Sequence, residues 1–270
     1  MKKLLIIGCS YSLGSWELDT DKKTEILPRN SLGWYNFVDW IKDFETTVIA
    51  TQGQGYSSWV QLLYYFNRTG YLNEFDNIMI QETHEPRTTL LSQKYVQEVT
   101  NFLMKHHFPI KKIRYEYLQK TNHIKLLWLR WPIIYSASYL TGATILKDKR
   151  NGYAGETWGV SPEFRQELID STVSYIHDMI SGWSSDYIQT ICRRNNLKGL
   201  IWSMGKVFKD VQNDYLTRLT LETEGDETIK YLHKNGLTVD NNNKYSNQVL
   251  HPTLDGNKKI SELINKAICQ

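Results

Sequence analysis

A serine follows directly on the first apolar run of the chain, in the stretch LLIIGCSYSLGS at residues 4–15. A serine hydroxyl becomes a nucleophile when a nearby base accepts its proton and hydrogen-bond donors stabilise the oxyanion that forms. Ser10 stands where a short buried strand would end, which makes it the candidate nucleophile. The alternative is that Ser10 only caps the helix or turn that follows.

The candidate base is His251, in the stretch VLHPTLDG at residues 249–256. We expect it in a loop just before a C-terminal amphipathic helix that carries Ile260, Leu263 and Ile264 at helical spacing. The alternative is that the His-Pro pair only ends an element. A serine and a histidine can act together only if the fold brings them to one side, so the elements between them must be placed.

Several short apolar runs end in glycine or polar residues, as the buried strands of a parallel sheet do. They lie at residues 3–7, 46–58, 75–87 and 196–205, and helical spacing appears at 31–44, 59–68 and 161–183. Strands that alternate with helices predict an α/β fold with a parallel sheet. Ligands bind such sheets beyond the carboxyl ends of the strands, which places the loops GCSYS, GQGYSS and ETHEPR on one rim.

Composition and charge exclude several classes of protein. The 270 residues suffice for one large domain, and a net charge of +3 is too small to predict nucleic-acid binding. Cys9, Cys192 and Cys269 lie far apart, with neither a disulfide framework nor metal-ligand spacing, which is typical of a reducing compartment. The first apolar run has four residues, too few for a secretion signal, so we expect a cytoplasmic protein.

Three blocks together resemble the SGNH (GDSL-type) hydrolase family: an N-terminal strand ending in Gly-x-Ser, a second strand leading into GxGYSS, and a late His-Pro before the last helix. The resemblance covers roughly residues 1–90 and 196–270. It implies a flavodoxin-like three-layer sandwich with a central parallel sheet and no metal or organic cofactor. It also implies that Ser10 is the nucleophile and one oxyanion donor, that Gly55 is a second donor with Gly53 as the competing alignment, and that His251 is the general base.

Two departures from the family pattern concern the rest of the site. The family's Gly-Asn-Asp block is replaced by QETHEPR, where His84 or Glu85 falls near the third oxyanion donor; a histidine ring can donate, a carboxyl only when protonated. The family's aspartate three residues before the histidine is Gln248 here, and the nearest upstream acid is Asp240. The Gln248 oxygen or a backbone carbonyl could orient the ring, and Arg87 is a candidate substrate contact.

An insertion at about residues 90–160 separates the third and fourth strands. Its part at 105–150 carries ten Lys and Arg residues against two acids, a net charge of +8. The stretch 126–146 is long enough to span a bilayer, but Arg130, Pro132 and several hydroxyl residues interrupt it. We therefore expect a helical cap over the site, with a membrane span and a membrane-surface contact as the alternatives.

The resemblance to SGNH hydrolases implies a serine-dependent acyl-ester hydrolase or acyltransferase that acts on an acylated carbohydrate. Its partners would be a small-molecule or carbohydrate ester, with an acidic polymer as a further candidate and no nucleic acid. Two other functions stay open. One is a binding protein that kept the fold and lost catalysis, and the other is a module in which the basic insertion binds a polyanion or a membrane surface.

Overall fold

A computed structural model of the chain describes residues 1–18, 26–30, 32–50, 56–82, 87–89, 114–120, 124–130, 136–138, 186–205, 215–241 and 249–270. The strands are β1 (Lys2–Gly8), β2 (Ser15–Leu18), β3 (Ile26–Asn30), β4 (Phe44–Ala50), β5 (Asn77–Glu82), β6 (Arg87–Thr89), β7 (Arg114–Lys120), β8 (Ile124–Arg130), β9 (Ser136–Ser138), β10 (Lys198–Ser203), β11 (Leu216–Arg218), β12 (Thr238–Asn241) and β13 (Val249–Pro252). The α-helices are α1 (Tyr56–Thr69), α2 (186–194), α3 (Thr228–Lys234) and α4 (Leu254–Ile268).

One sheet organises the described part of the chain, with the strand order β11-β10-β5-β1-β4-β8-β7. Every neighbouring pair in it is parallel except β7 and β8, which are antiparallel. β1 has partners on both edges, and its residues 4–7 are at most 1% exposed. A strand in that position needs a nearly continuous apolar run, which is what the sequence supplies. The predicted α/β fold with a parallel sheet is therefore confirmed.

The predicted helical insertion is wrong where the structure describes it. Residues 114–120 and 124–130 are strands, and β8 extends the sheet by pairing parallel with β4, from Thr46 opposite Ile124 to Ala50 opposite Trp128. Residues 136–138, also within the predicted cap, form β9 and pair with β6. A seven-residue apolar run can be a strand or part of a helix, and periodicity alone does not separate the two. The remainder of the insertion and the predicted helix at 161–183 lie outside the described residues.

The helix predicted at 31–44 is replaced by two 3-10 turns, Trp34–Asn36 and Asp39–Asp43. Val38 between them has an extended backbone, so the helix is interrupted at that point. The Asn36 side chain donates to Gly33 O at 3.1 Å, a local bond of the kind by which asparagine competes with helix formation. The apolar side chains of this segment are nevertheless buried, since Trp34, Val38 and Ile41 are each at most 1% exposed.

The C-terminal helix is confirmed as α4, and Thr253 caps it by accepting a hydrogen bond from Gly256 N–H at 3.1 Å. The expectation that His251 lies in a loop is wrong. His251 belongs to β13, where it pairs with Val239 of β12 in an antiparallel hairpin. A proline suggests a loop, but it is compatible with a strand end such as Pro252.

Candidate active site

Ser10 lies in a tight turn at the carboxyl end of β1. The turn is one 3-10 helical turn, Ser10–Ser12, in which Ser12 N–H donates to Cys9 O at 2.9 Å. Gly8 allows the turn to fold back closely, because a Cβ at that position would lie 2.9 Å from Gln81 Oε1 and closer still to Ser12 Oγ. Gly8 is therefore needed at the end of the strand, because a larger residue would collide with the side chains of Ser12 and Gln81.

Ser10 is buried, at 4% exposure, and its polar groups differ in how they are bonded within the described part of the chain. Its carbonyl oxygen accepts from Trp16 Nε1 at 3.1 Å and from Leu13 N–H at 3.2 Å. Its hydroxyl and its own N–H make no hydrogen bond to any other residue that the structure describes. Buried donors are normally paired, so a hydroxyl and an N–H left available together suit a place where a ligand completes the bonding.

The ring of His251 contacts two aromatic side chains in and beside the Ser10 turn, those of Tyr11 and Trp16. Its ring stacks on Trp16, with centroids 4.0 Å apart and planes at 25°, and lies 5.3 Å from the ring of Tyr11. Trp16 in turn donates its indole N–H to the carbonyl of Ser10. The structure therefore brings together the two residues that the sequence singled out, although 241 positions separate them in the chain.

No hydrogen bond joins the Ser10 hydroxyl to the His251 ring in this structure. His251 is 5% exposed, and its orientation is set in part by stacking on Trp16. Catalytic hydrogen bonds are often long or misaligned without substrate and tighten when it binds, so the arrangement is compatible with a Ser–His pair at rest.

Gln81, which the sequence did not single out, holds the turn from the neighbouring strand. It is fully buried, and its Oε1 accepts from Cys9 N–H at 3.0 Å, from Cys9 Sγ at 3.4 Å and from Ser12 Oγ at 3.2 Å. Its Nε2 donates to the carbonyl of Glu82. A polar pair ending a buried strand, as in NIMIQE, is the signal that could have drawn attention to it.

Glu82, the last residue of β5, forms a buried ion pair with Arg218 at the end of β11. Both carboxylate oxygens accept from the guanidinium, one of them from Nη2 at 2.9 Å. Burial raises the pKa of Glu82, and the hydrogen bonds and charge of Arg218 oppose part of that rise. The pair links the strands β5 and β11 across β10, at the same rim as Ser10.

A cleft of about 720 Å³ opens beside this ion pair. It is lined by Ser203 at the end of β10, by Gly205, by Arg218 of β11, and by residues 219–228, which lead from β11 to the start of α3. Three of its four acidic side chains form ion pairs, namely Glu222 with Lys266, Asp226 with Lys234 and Glu227 with Lys230. The cleft therefore offers hydroxyl, carboxylate and guanidinium groups at the carboxyl ends of two strands.

The remaining predicted site residues are not placed by the structure. Gly55 and its alternative Gly53, His84 with Glu85, and Gln248 all lie outside the described residues. The backbone of Arg87 begins β6, opposite Ser138 of β9, and Asp240 lies opposite Leu250, one register position from the pair of His251. The second and third oxyanion donors, and the group that would orient the ring, stay predictions.

The cysteines make no disulfide, as the sequence predicted. Cys9 and Cys192 are buried and Cys269 is exposed. Burial raises the pKa of the Cys192 thiol to about 12. The Cys192 thiol is therefore a poor nucleophile at neutral pH.

The wider searches add three findings. Among the described residues, no group of three or more His, Cys, Asp or Glu side chains could hold a metal ion. The described helices are all too short or too polar to cross a bilayer. Comparison of the chain with protein families, with curated proteins and with solved structures finds no match.

Proposed function

We propose that the protein is a serine-dependent acyl-ester hydrolase or acyltransferase of the SGNH type, with Ser10 as nucleophile and His251 as general base. The observation that carries the proposal is the cluster of Ser10, Trp16 and His251 at the carboxyl end of β1. It joins a buried serine with an available hydroxyl and N–H to a buried imidazole from the far end of the chain.

The order of the parallel strands supports this proposal. Without the insertion strands β7 and β8, which extend one edge of the sheet, the strands β1, β4, β5, β10 and β11 are numbered one to five in chain order. These five lie in the sheet as 2-1-3-4-5. This is the order of flavodoxin-like sheets, which bind ligands where the strand order reverses, between strands one and three. Ser10 follows strand one and Gln81 is the penultimate residue of strand three, so both stand at that crevice.

The chemistry proposed for these groups is ordinary acyl transfer. Ser10 Oγ attacks the ester carbonyl carbon while His251 accepts the hydroxyl proton, and the N–H of Ser10 donates to the oxyanion. Collapse of the tetrahedral intermediate breaks the bond to the alkoxide, which takes the proton from His251. Water or an acceptor hydroxyl then attacks the acyl-serine by the same steps in reverse.

An acylated carbohydrate is the substrate class that we propose. The cleft beside the Glu82–Arg218 pair carries hydroxyl and charged groups, which suit a ligand rich in hydroxyls. It lies beyond β10 and β11, two and three strands from β1, or about 10 to 15 Å at the usual spacing of strands. A substrate acylated at one end could therefore occupy the cleft while its ester reaches Ser10.

A second candidate is a binding protein that kept the fold without catalysis. The missing hydrogen bond between the Ser10 hydroxyl and His251 favours it. The two candidates differ in one property, which is whether the hydroxyl of Ser10 reacts.

A fluorophosphonate probe tests this directly, because an activated serine displaces fluoride and forms a bond to phosphorus. We expect labelling of the wild-type protein at Ser10, found by mass spectrometry of peptides, and no labelling of Ser10→Ala. Ser261→Ala is the matched control, since it removes a buried serine hydroxyl that only donates to Trp34 O and Asn257 O. Absence of labelling in the folded wild-type protein would favour the binding protein, and labelling of Ser10→Ala would place the nucleophile elsewhere.

A further inference from the structure

We propose that Gln81 is the positioning residue of the Ser10 turn, which it holds in the shape that leaves the hydroxyl and N–H of Ser10 available. This inference rests on the proposed function and extends it to a residue outside the Ser–His pair. Gln81 is fully buried at the carboxyl end of β5, the strand next to β1.

One amide oxygen binds residues on both sides of the nucleophile. Gln81 Oε1 accepts from Cys9 N–H at 3.0 Å, one position before Ser10, and from Ser12 Oγ at 3.2 Å, two positions after it. Ser12 Oγ also accepts from Trp34 Nε1 at 3.1 Å, so its hydrogen is directed at Gln81. The turn is thus held at its two ends by a single acceptor.

Gln81 also takes part where the pairing of β1 with β5 ends. Paired residues of β1 and β5 end at Ile7 and Ile80. Beyond that point the side chain of Gln81, and not a backbone carbonyl of β5, accepts the N–H of Cys9. The chain therefore leaves the ladder with β5 before Ser10.

The orientation of the Gln81 amide is fixed by its other end. Nε2 donates to the carbonyl of Glu82, which is itself tied to the next strand because Met204 N–H donates to it at 3.2 Å. If the Gln81 amide rotated by 180°, its NH2 group would face the N–H of Cys9, and two donors would oppose each other. An oxygen acceptor is thus kept pointing at the turn.

The test replaces Gln81 by leucine, which has a similar size and no acceptor. We expect the maximal rate of fluorophosphonate labelling at Ser10 to fall at least tenfold, with the half-saturating probe concentration unchanged. Ser261→Ala is the control for general loss of stability, and its labelling rate should stay within twofold of wild type. Labelling of Gln81→Leu within twofold of wild type would overturn the inference and leave the proposed function standing.

A second measurement does not depend on catalysis. Cys9 is fully buried and its N–H and thiol both contact Gln81, so loosening the turn should expose it. In a Cys269→Ser background, we expect Gln81→Leu to raise the rate of Cys9 alkylation at least fivefold, measured by peptide mass. If wild-type Ser10 is never labelled, the proposed function fails, and unchanged Cys9 alkylation would then overturn the positioning role as well.

Ser12→Ala decides the matter if Gln81→Leu does not fold. This variant removes one donor to Gln81 Oε1 and leaves the bond from Cys9 N–H in place. A fall of threefold or more in the labelling rate supports the role of Gln81, and a smaller change refutes it.

Discussion

The imidazole of His251 has an aromatic neighbour at the distance where a cation would be attracted. The ring of Trp16 lies 4.0 Å from it, nearly parallel. An indole face stabilises a cation by about 0.5–2 kcal/mol, depending on desolvation. In the proposed mechanism, Trp16 would favour the protonated ring that forms when Ser10 attacks, which is part of what a triad carboxylate does.

Trp16→Phe separates the two contacts of this residue. Phenylalanine keeps an aromatic face for His251 but loses the indole N–H that donates to Ser10 O. We expect labelling of Ser10 to slow at least threefold, and the free energy of unfolding to fall by about 1 kcal/mol for the lost hydrogen bond, beyond the cost of the smaller ring.

Trp202→Phe is the control for the smaller ring. Its indole nitrogen is buried and has no hydrogen-bond partner among the described residues, so this change removes no such bond. Labelling rates and urea denaturation measure both effects. Equal slowing in the two variants would show that ring size, not the bond to Ser10, matters.

At the level of single residues, the sequence predicted Ser10 and His251 but not their neighbours. A serine after an apolar run and a His-Pro before a helix can be recognised locally. Gln81 and Trp16 are ordinary buried residues until the fold is known, because their contacts with Cys9 and His251 span 72 and 235 positions. Contacts of that range leave no local pattern.

At the level of elements, the runs that become central strands were predicted well and the sheet's extension was not. β1, β4, β5 and β10 are short apolar runs that end in glycine or polar residues, so their sequences indicate strands. β8 has a similar apolar character, but it sits in a basic segment whose length suggested a helix. Its role as a strand depends on the free edge of β4, which the sequence of β8 does not show.

Leu127→Pro tests the place of β8 in the sheet. Position 127 lies opposite Ile49 on one side and Tyr117 on the other, so a proline there removes a backbone donor inside the sheet. We expect the free energy of unfolding to fall by about 3 kcal/mol or more. Leu127→Val keeps the donor and should cost clearly less. Similar urea midpoints for the two variants would argue that this segment is not part of the sheet.

At the level of the whole molecule, several buried groups keep their protons in the folded state. Burial raises the pKa of Tyr71 to about 12, with a smaller contribution from the charge of Glu74, and burial alone raises that of Cys192 to about 12. Burial also raises the pKa of Tyr35. In the unfolded chain a tyrosine ionises near 10 and a cysteine near 9, so above these values the unfolded chain holds fewer protons.

The free energy of unfolding should therefore be unaffected by these groups below about pH 9 and should fall as the pH rises towards 12. Each proton that the folded state retains and the unfolded state loses contributes a slope of about 1.4 kcal/mol per pH unit. Tyr71→Phe removes one such group, so its stability should fall less steeply than that of wild type. Urea denaturation between pH 8 and 11 measures the slopes, and parallel curves would contradict the assignment.

The side chain of Asn257 in α4 contacts residues from the N-terminal part of the chain. It donates to Gly14 O and Ser15 Oγ, both at 3.2 Å, and it accepts from Trp34 N–H at 3.1 Å. These bonds close loops of more than two hundred residues, and such contacts form late because the loop entropy must be overcome first. During synthesis Ser10 leaves the ribosome more than two hundred residues before Asn257 does. The contacts beside the Ser10 turn are therefore completed only when α4 docks.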